Sequence, residues 1–233
     1  MTFDFALVLD SLPELLDATV LTLGLTAASV VLGVLFGCGL GFARFSRYRV
    51  VREAARYYSL VFRGTPLLVQ LFLIYYGLGQ SPLLRGSVLW LVLREPFWCV
   101  SLALALNSAA YTSEIFRGAV RAVPRGQWEA ATTLGLRPAA TFRAVIGPQA
   151  LRIALPSYGN EVVMIVKSTA LASMVSMFDL TGAARTLVAD TYAPYEIFTA
   201  SGAIYLVLTA VLQLAFKLVE KRLELPGPRK SRA

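Results

Sequence analysis

The stretch ATVLTLGLTAASVVLGVLFGCGLGFA, residues Ala18–Ala43, runs for 26 positions without an Asp, Glu, Lys or Arg. A helix of about 20 apolar residues, rising about 1.5 Å per residue, crosses the hydrocarbon core of a bilayer. Three further stretches are similarly uncharged, and a fourth is interrupted only by Glu161 and Lys167. The sequence therefore predicts one all-α membrane domain over residues 1–233, with five transmembrane helices at about 18–43, 64–84, 96–116, 153–178 and 197–216.

The composition of the whole chain also favours a lipid environment. Hydrophobic residues make up 57% of the 233 positions and charged residues only 15%, against about 45–50% and about 25% in soluble domains. The chain has no histidine, which excludes His-dependent catalytic triads and His-ligated metal sites. Cys38 and Cys99 lack the paired spacing of a zinc site or a disulfide framework. We therefore expect no catalytic site and no metal site.

The basic residues predict the orientation, because Lys and Arg accumulate in cytoplasmic loops. Of the 22 basic residues, 18 fall between Arg44 and Arg63, between Arg117 and Arg152, or in the C-terminal tail. The segment before the first span is acidic. We expect an N-terminus outside the cytoplasm, a retained first span and a cytoplasmic C-terminus. The net charge of +8 then follows from topology, and no nucleic-acid partner is expected.

Two of the predicted spans carry polar side chains that lipid-facing helices exclude. The spacing of Asn107, Tyr111 and Glu114 places them on one face of the third span. A cation at the bilayer centre costs about 2.5–3.5 kcal/mol, so Lys167 should face protein, a partner charge or water. We predict a polar solute path that also includes the following residues of the fourth span: Asn160, Glu161, Ser168 and Thr169. The alternatives are a structural ion pair for Lys167 and a capping or interfacial role for Glu114.

Gly33, Gly37 and Gly41 repeat at four-residue spacing in the first span. Three positions without side chains on one helix face allow another backbone to approach closely. The spacing predicts a packing seam, and it leaves open whether the seam lies within the monomer or between subunits.

The polar segment 117–152 is too long for a simple connector between spans three and four. Gln127–Leu134 is rich in helix-forming residues, Gly135 is a typical helix stop, and Arg137-Pro138 permits a second helix to begin. We expect a short helix lying on the cytoplasmic face.

This segment carries a resemblance to a known family. Glu129-Ala130-Ala131, followed by Gly135, resembles the EAA loop of the membrane subunits of bacterial ABC importers. Four further motifs resemble the permeases for polar amino acids over about residues 15 to 222: FRGTPLLVQ (62–70), NSAAYT (107–112), EIFRGA (114–119) and GNEV (159–162). The resemblance implies a coupling helix, with Glu129, Ala130, Ala131 and Gly135, that docks onto a separate ATPase. The chain departs from the family at Gly147, where the usual pattern is Ile-x-Leu-Pro.

The finer likeness lies in KSTALAS (167–173) and in Thr191-Tyr192, which resemble permeases for arginine, histidine, lysine, ornithine and opines. The resemblance implies two ATPase subunits, a second permease subunit that is identical or paralogous, a periplasmic solute-binding protein and the bacterial inner membrane. No G-x-x-x-x-G-K-[ST] phosphate loop occurs, so ATP and Mg are expected on the partner ATPase and no cofactor in this chain. The alternatives are an ATP-independent carrier or channel for polar solutes and an assembly scaffold.

Overall fold

The computed structural model describes residues 3–78 and 80–223, and these residues form helices without a β-strand. The long helices are α1 (Phe5–Ala43), α6 (Pro96–Ala122), α9 (Gly147–Ser168) and α11 (Pro194–Leu223). Shorter ones are α2 (Arg49–Gly64), α3 (Leu67–Leu78), α4 (Pro82–Arg85), α5 (Trp90–Leu93), α7 (Arg125–Thr133), α8 (Pro138–Thr141) and α10 (Leu180–Thr191). A π-helical turn (Phe142–Ile146) precedes α9, and a 3₁₀ segment (Thr169–Val175) follows it.

Length and composition identify the helices able to cross a membrane. Within the described residues, α1 and α11 qualify alone, and two bent helix pairs bring the number to as many as four. The central helix α6 is 27 residues long, or about 40 Å, but its three serines, Asn107 and Thr112 make it less apolar. It covers the third predicted span. The predicted count of five and the orientation remain predictions, and the tail residues Arg229, Lys230 and Arg232 lie outside the described residues.

The second predicted span, 64–84, was wrong as a single helix. Gly64 ends α2, and α3 leaves it at an angle of 105°. Pro66 causes part of this break, since proline lacks an N–H and disfavours helical conformation in the residue before it. Helix α3 has 12 residues and is about 18 Å long, shorter than the hydrocarbon core of about 30 Å. The segment after Arg44, interpreted as a loop, contains helix α2, which packs on α6 through Ala55 and Ser59.

The glycine repeat packs inside the monomer. A Cβ added to Gly33 would lie 3.1 Å from Ser108 Oγ, one on Gly37 2.6 Å from Thr112 Cβ, and one on Gly41 2.5 Å from Phe116 Cδ1. The three glycines of α1 therefore meet three α6 residues that are also four apart. The structure resolves the choice left by the sequence: the seam joins α1 to α6.

The fourth predicted span, 153–178, differs from the observed helix at both ends. Helix α9 begins at Gly147, and regular α-helix ends at Ser168. The chain then continues as the 3₁₀ segment, which is capped by Ser176 with a φ of 62°, and the next helix is bent by 50° from the preceding run. Helix α10, which the sequence did not predict, starts from buried Asp179, whose carboxylate accepts hydrogen bonds from the Thr181 and Gly182 N–H groups at 3.3 and 3.1 Å.

The polar segment forms the expected short helix. Helix α7 covers Arg125–Thr133, and Gly135 follows it in the left-handed region with a φ of +71°. This conformation is accessible to glycine and strained for other residues. The next helix begins at Pro138, as Arg137-Pro138 predicted.

The backbone around position 147 explains why a glycine occurs there. Its N–H bonds to Phe142 O, which closes the π-helical turn, and a Cβ there would lie 2.8 Å from the same oxygen. A leucine at this position would collide with that carbonyl, so the departure from the family pattern accompanies the π-helical turn between α8 and α9.

Candidate functional site

A polar cavity of about 220 Å³ lies where the bend between α2 and α3 meets the middle of α6 and the second half of α9. The bend contributes Thr65 and Leu67. Helix α6 contributes Leu104, Asn107, Ser108 and Tyr111, and α9 contributes Glu161, Met164, Ile165 and Ser168. Asn107, Tyr111, Glu161 and Ser168 were predicted to line a solute path, and the structure brings these four together.

Two amides hold the bend in place. Asn107 Nδ2 donates to Phe62 O at 3.0 Å and to Gln70 Oε1 at 2.9 Å. Gln70 Nε2 donates to Phe62 O at 2.8 Å and to Thr65 Oγ1 at 2.6 Å. Phe62 O lies in the last turn of α2, where carbonyl groups lack intrahelical donors. Gln70 and Asn107 supply those donors, so the bend is fixed to α6.

We expect Gln70→Leu to destabilise the protein by about 1–3 kcal/mol, because a buried amide left without a partner loses its solvation. The substitution removes the acceptor of Asn107 and one donor to Phe62 O. Thermal unfolding of the purified chain measures the effect. The matched control is Gln80→Leu, since Gln80 is exposed and should tolerate the change; equal losses in the two variants would contradict the role of Gln70.

One charged residue lines the cavity, and a second, of opposite sign, lies near it. Among the described residues that line it, Glu161 alone carries a formal charge. The guanidinium of Arg63, at the end of α2, lies 5.3 Å from the ring centroid of Tyr111, which lines the cavity. A carboxylate thus lines the cavity, and a cation lies over an aromatic ring that also lines it.

The other four predicted path residues lie elsewhere. Asn160 and Lys167 are exposed on the outer face of α9, and no ion pair of Lys167 occurs among the described residues. Thr169 is buried and donates to Val166 O at 2.7 Å. Glu114 lies further along α6. In this single chain, these four side chains do not line the cavity.

Glu114 instead joins two helices. Its carboxylate lies 2.7 Å from Arg44 Nη1, at the end of α1, and 2.6 Å from Arg117 Nη2, one turn along α6. All three side chains are largely buried. Glu114 therefore neutralises two arginines at one end of the α1–α6 seam, a structural ion pair that the sequence analysis did not predict for this residue.

The sequence analysis missed Arg63, Thr65, Gln70 and Ser108 as residues in or next to the site. Three of them lie in the FRGTPLLVQ motif, which was used only for family resemblance. A polar Gln within an apolar stretch, four residues after a proline, was the available signal. The bend that brings Gln70 back to Phe62 was not visible in the spacing.

Helix α7 forms a second candidate surface. Arg125 to Ala130 are exposed, and Ala131 is buried against the body of the protein. A shallow groove is lined by Trp128, Glu129, Thr132 and Thr133. Contact with the rest of the chain includes the hydrogen bond from Gln149 Nε2 to Gln127 Oε1 at 3.1 Å. An isolated nine-residue helix is marginal in water, so a largely exposed one is suited to docking.

Relatives and solved structures match nearly the whole chain. It is 46% identical over 220 residues to the octopine transport system permease protein OccM of Rhizobium radiobacter, covering 94% of this chain and 90% of the relative. It is 41% identical to the arginine ABC transporter permease protein ArtM of Escherichia coli K12, covering 91% and 95%. A chain in the crystal structure of an amino acid ABC transporter with histidines superposes with a TM-score of 0.85 at 37% identity, covering 95% and 100%.

The family model described as "Binding-protein-dependent transport system inner membrane component" matches residues 29–225. That range includes α2, α6, α7 and α9, and with them the whole cavity and the exposed short helix. The chain therefore belongs to this family of inner-membrane transporter subunits and is a permease subunit of an ABC transporter, not an enzyme.

Proposed function

We propose that this permease subunit imports polar amino acids of the basic class, such as arginine, histidine, lysine, ornithine or opines, through the cavity beside Glu161. The supporting observation is the carboxylate of Glu161 in a polar cavity surrounded by apolar helices. A buried carboxylate is stabilised by a cation, and a basic amino acid supplies one. The named octopine and arginine permeases that the chain resembles support the same class.

The solute carboxylate needs a positive partner. Lys167 is exposed on the outer face of α9, so Arg63 is the better candidate. Its guanidinium stacks over Tyr111 at the cavity edge. Guanidinium groups bind carboxylates bidentately, so Arg63 and Glu161 would hold the two ends of an amino acid.

The exposed stripe of α9 supports a paired assembly. Asn160, Met164 and Lys167 are exposed in the single chain, and Met164 also lines the cavity. A charge in lipid is unfavourable. A second permease subunit, identical or paralogous, would cover this stripe and add the remaining wall of the path. We further propose five spans in this fold, with α2 and α3 together as the second, a periplasmic N-terminus and a cytoplasmic C-terminus.

The free energy of ATP hydrolysis would be transmitted to this subunit through α7. Two ATPase subunits, which hold ATP and Mg, would dock on the α7 helices of the pair, with Glu129, Ala130, Ala131 and Gly135 in the contact. A periplasmic binding protein would deliver the solute at the opposite face. The exposure of α7 and the left-handed turn at Gly135 support this docking.

We expect Glu161→Gln to lower arginine uptake by about tenfold or more, since a hydrogen bond to a charged group is worth about 1.5–3 kcal/mol. The measurement is uptake of radiolabelled arginine into proteoliposomes that contain the complete transporter, loaded with ATP and supplied with the binding protein. ATP hydrolysis without solute should stay near the wild-type rate, because Glu161 is remote from α7 in the fold.

The control is Glu220→Gln, which removes a carboxylate from the far end of α11 and should leave uptake unchanged. Unaltered arginine uptake by Glu161→Gln would overturn the path assignment. Uptake driven by an ion gradient without ATP would instead support the ATP-independent carrier.

A further inference from the structure

A second cavity, of about 380 Å³, opens between α1, α6, the π-helical turn and α9. We call it the apolar cleft, and its lining residues include Val34, Phe116, Phe142, Ala154 and Leu155. Its walls are almost entirely hydrocarbon. It is separate from the polar cavity, because no residue lines both.

Two hydroxyl groups in the apolar cleft lack partners. Thr112 and Tyr158 line it, and neither Thr112 Oγ1 nor Tyr158 Oη has a hydrogen-bond partner among the described residues, although both atoms are buried. The Thr112 side chain is only 5% exposed. Both oxygens are shielded behind the hydrocarbon lining, so the surface that meets an occupant of the cleft is apolar.

A concentration of positive charge lies at the end of α1. The segment Arg44–Arg52, here called the basic turn, contains four arginines before the first carboxylate, Glu53. Arg44 is paired with Glu114. Arg47, Arg49 and Arg52 are exposed and have no ion pair among the described residues. Clusters of this kind next to a transmembrane helix attract anionic lipid headgroups.

Aromatic rings connect the basic turn to the apolar cleft. The ring of Phe42 packs at a steep angle against Phe116 and Phe142, with ring centroids 4.9 and 5.5 Å apart, and the ring of Phe45 lies 6.3 Å from that of Phe116. Phe116 and Phe142 are walls of the cleft, whereas Phe45 belongs to the basic turn. Charge and hydrocarbon surface are therefore adjacent, in the order that a phospholipid presents them.

We propose that the apolar cleft and the basic turn together bind one anionic phospholipid. An acyl chain occupies the cleft, and the headgroup phosphate lies among Arg47, Arg49 and Arg52. The site holds α1 against α9 and the π-helical turn, and it is independent of the solute path.

Native mass spectrometry of the complete transporter tests the site, with phosphatidylglycerol and phosphatidylcholine of the same acyl chains as probes. We expect the phosphatidylglycerol to bind about tenfold more tightly or better, because each arginine near an anionic headgroup contributes to the attraction. Equal affinities for the two lipids would overturn the proposal.

Two sets of variants separate the charge from the cleft. The triple substitution Arg47→Gln, Arg49→Gln and Arg52→Gln should remove the preference for phosphatidylglycerol. Its control is Lys217→Gln, Lys221→Gln and Arg222→Gln, which changes the charge equally on α11 and should preserve the preference. An equal loss in both triples would contradict the basic turn as the headgroup site.

Ala154→Phe should fill the apolar cleft and reduce binding of both lipids by about tenfold or more, as the buried hydrocarbon contact is lost. Ala189→Phe is the control, because Ala189 lines an open groove on α10. Should Ala154→Phe fail to fold, Ala154→Leu tests the same cleft with a smaller side chain. Unchanged affinity in a folded cleft variant would place the lipid elsewhere.

Discussion

Glu129→Arg is expected to abolish ATP-dependent uptake while leaving the permease folded. Glu129 is exposed on α7 and lines the shallow groove with Trp128 and Thr132. Reversal of a charge that is buried in an interface costs about 2–5 kcal/mol or more, which corresponds to about 30-fold or greater loss of affinity for the ATPase. The fold should survive, because within this chain the carboxylate contributes no ion pair among the described residues.

The measurement combines arginine uptake in proteoliposomes with pull-down of the ATPase by the tagged permease. Glu53→Arg serves as the control, since Glu53 makes only a long 3.5 Å contact with Arg56 on α2. Undiminished uptake by Glu129→Arg would remove α7 from the coupling path. Loss of both uptake and thermal stability would indicate a folding defect, and Glu129→Gln would then be compared at equal expression.

Gly37→Leu is expected to have the largest effect on stability. A Cβ on Gly37 would already lie 2.6 Å from Thr112 Cβ and 3.1 Å from Ala109 O, distances that packed atoms do not adopt. Overpacking of an interior costs about 1–3 kcal/mol and occasionally more. A leucine must separate α1 from α6, so we expect a thermal unfolding midpoint lower by about 5–10 °C or a failure to accumulate in the membrane.

The same helix offers the control. Gly39, two residues away, has no atom within 4 Å of its Cβ position, and Gly39→Leu should be tolerated. The double variant Gly37→Ala with Thr112→Gly removes the nearest colliding atoms and should unfold at a higher temperature than Gly37→Ala alone. Equal destabilisation by Gly37→Leu and Gly39→Leu would show that the loss comes from placing leucine anywhere in α1 and not from packing at the α1–α6 seam.

The helical class and the short exposed helix could be predicted from the sequence because their signals are local. Uncharged stretches of membrane length predict membrane-spanning segments. The pattern of Pro, Gly and helix-forming residues in 124–138 predicts where the short helix begins and ends. The observed bounds of α7, Arg125–Thr133, differ by one or two residues from the predicted Gln127–Leu134. Both signals depend on neighbours along the chain.

Helix α2 and the bend after it could not be predicted in the same way. Its arginines exceed any limit on charge in a span, although its buried face uses only the small residues Ala55 and Ser59. The bend is fixed by contacts of Asn107 with residues 37 and 45 positions earlier. Such contacts depend on tertiary packing, and the hydropathy of a segment does not predict them.

The polar path was predicted in part for a related reason. Helical spacing placed Glu161 and Ser168 on one stripe and Asn160 and Lys167 on another, and the structure turns the first stripe toward the cavity. Which stripe faces inward depends on the rotation of α9 about its axis. Gly159 contributes to that rotation, because the ring of Phe216 from α11 packs on it, and a Cβ at this position would lie 2.9 Å from Phe216 Cγ.

The helical run from Pro138 to Val175, with the π-helical turn inside it, has a mechanical consequence. Its first residues adjoin α7, and Ser168, on the cavity wall, lies 30 positions later, about 45 Å along the axis. If a helical run of that length tilts near α7, the residues at its other end, near the cavity, move over a larger distance. The π-helical turn and Pro156 both interrupt the regular α-helical hydrogen bonding of this run, so the stiffness of the chain at these two places would set how much of a tilt at α7 reaches the cavity.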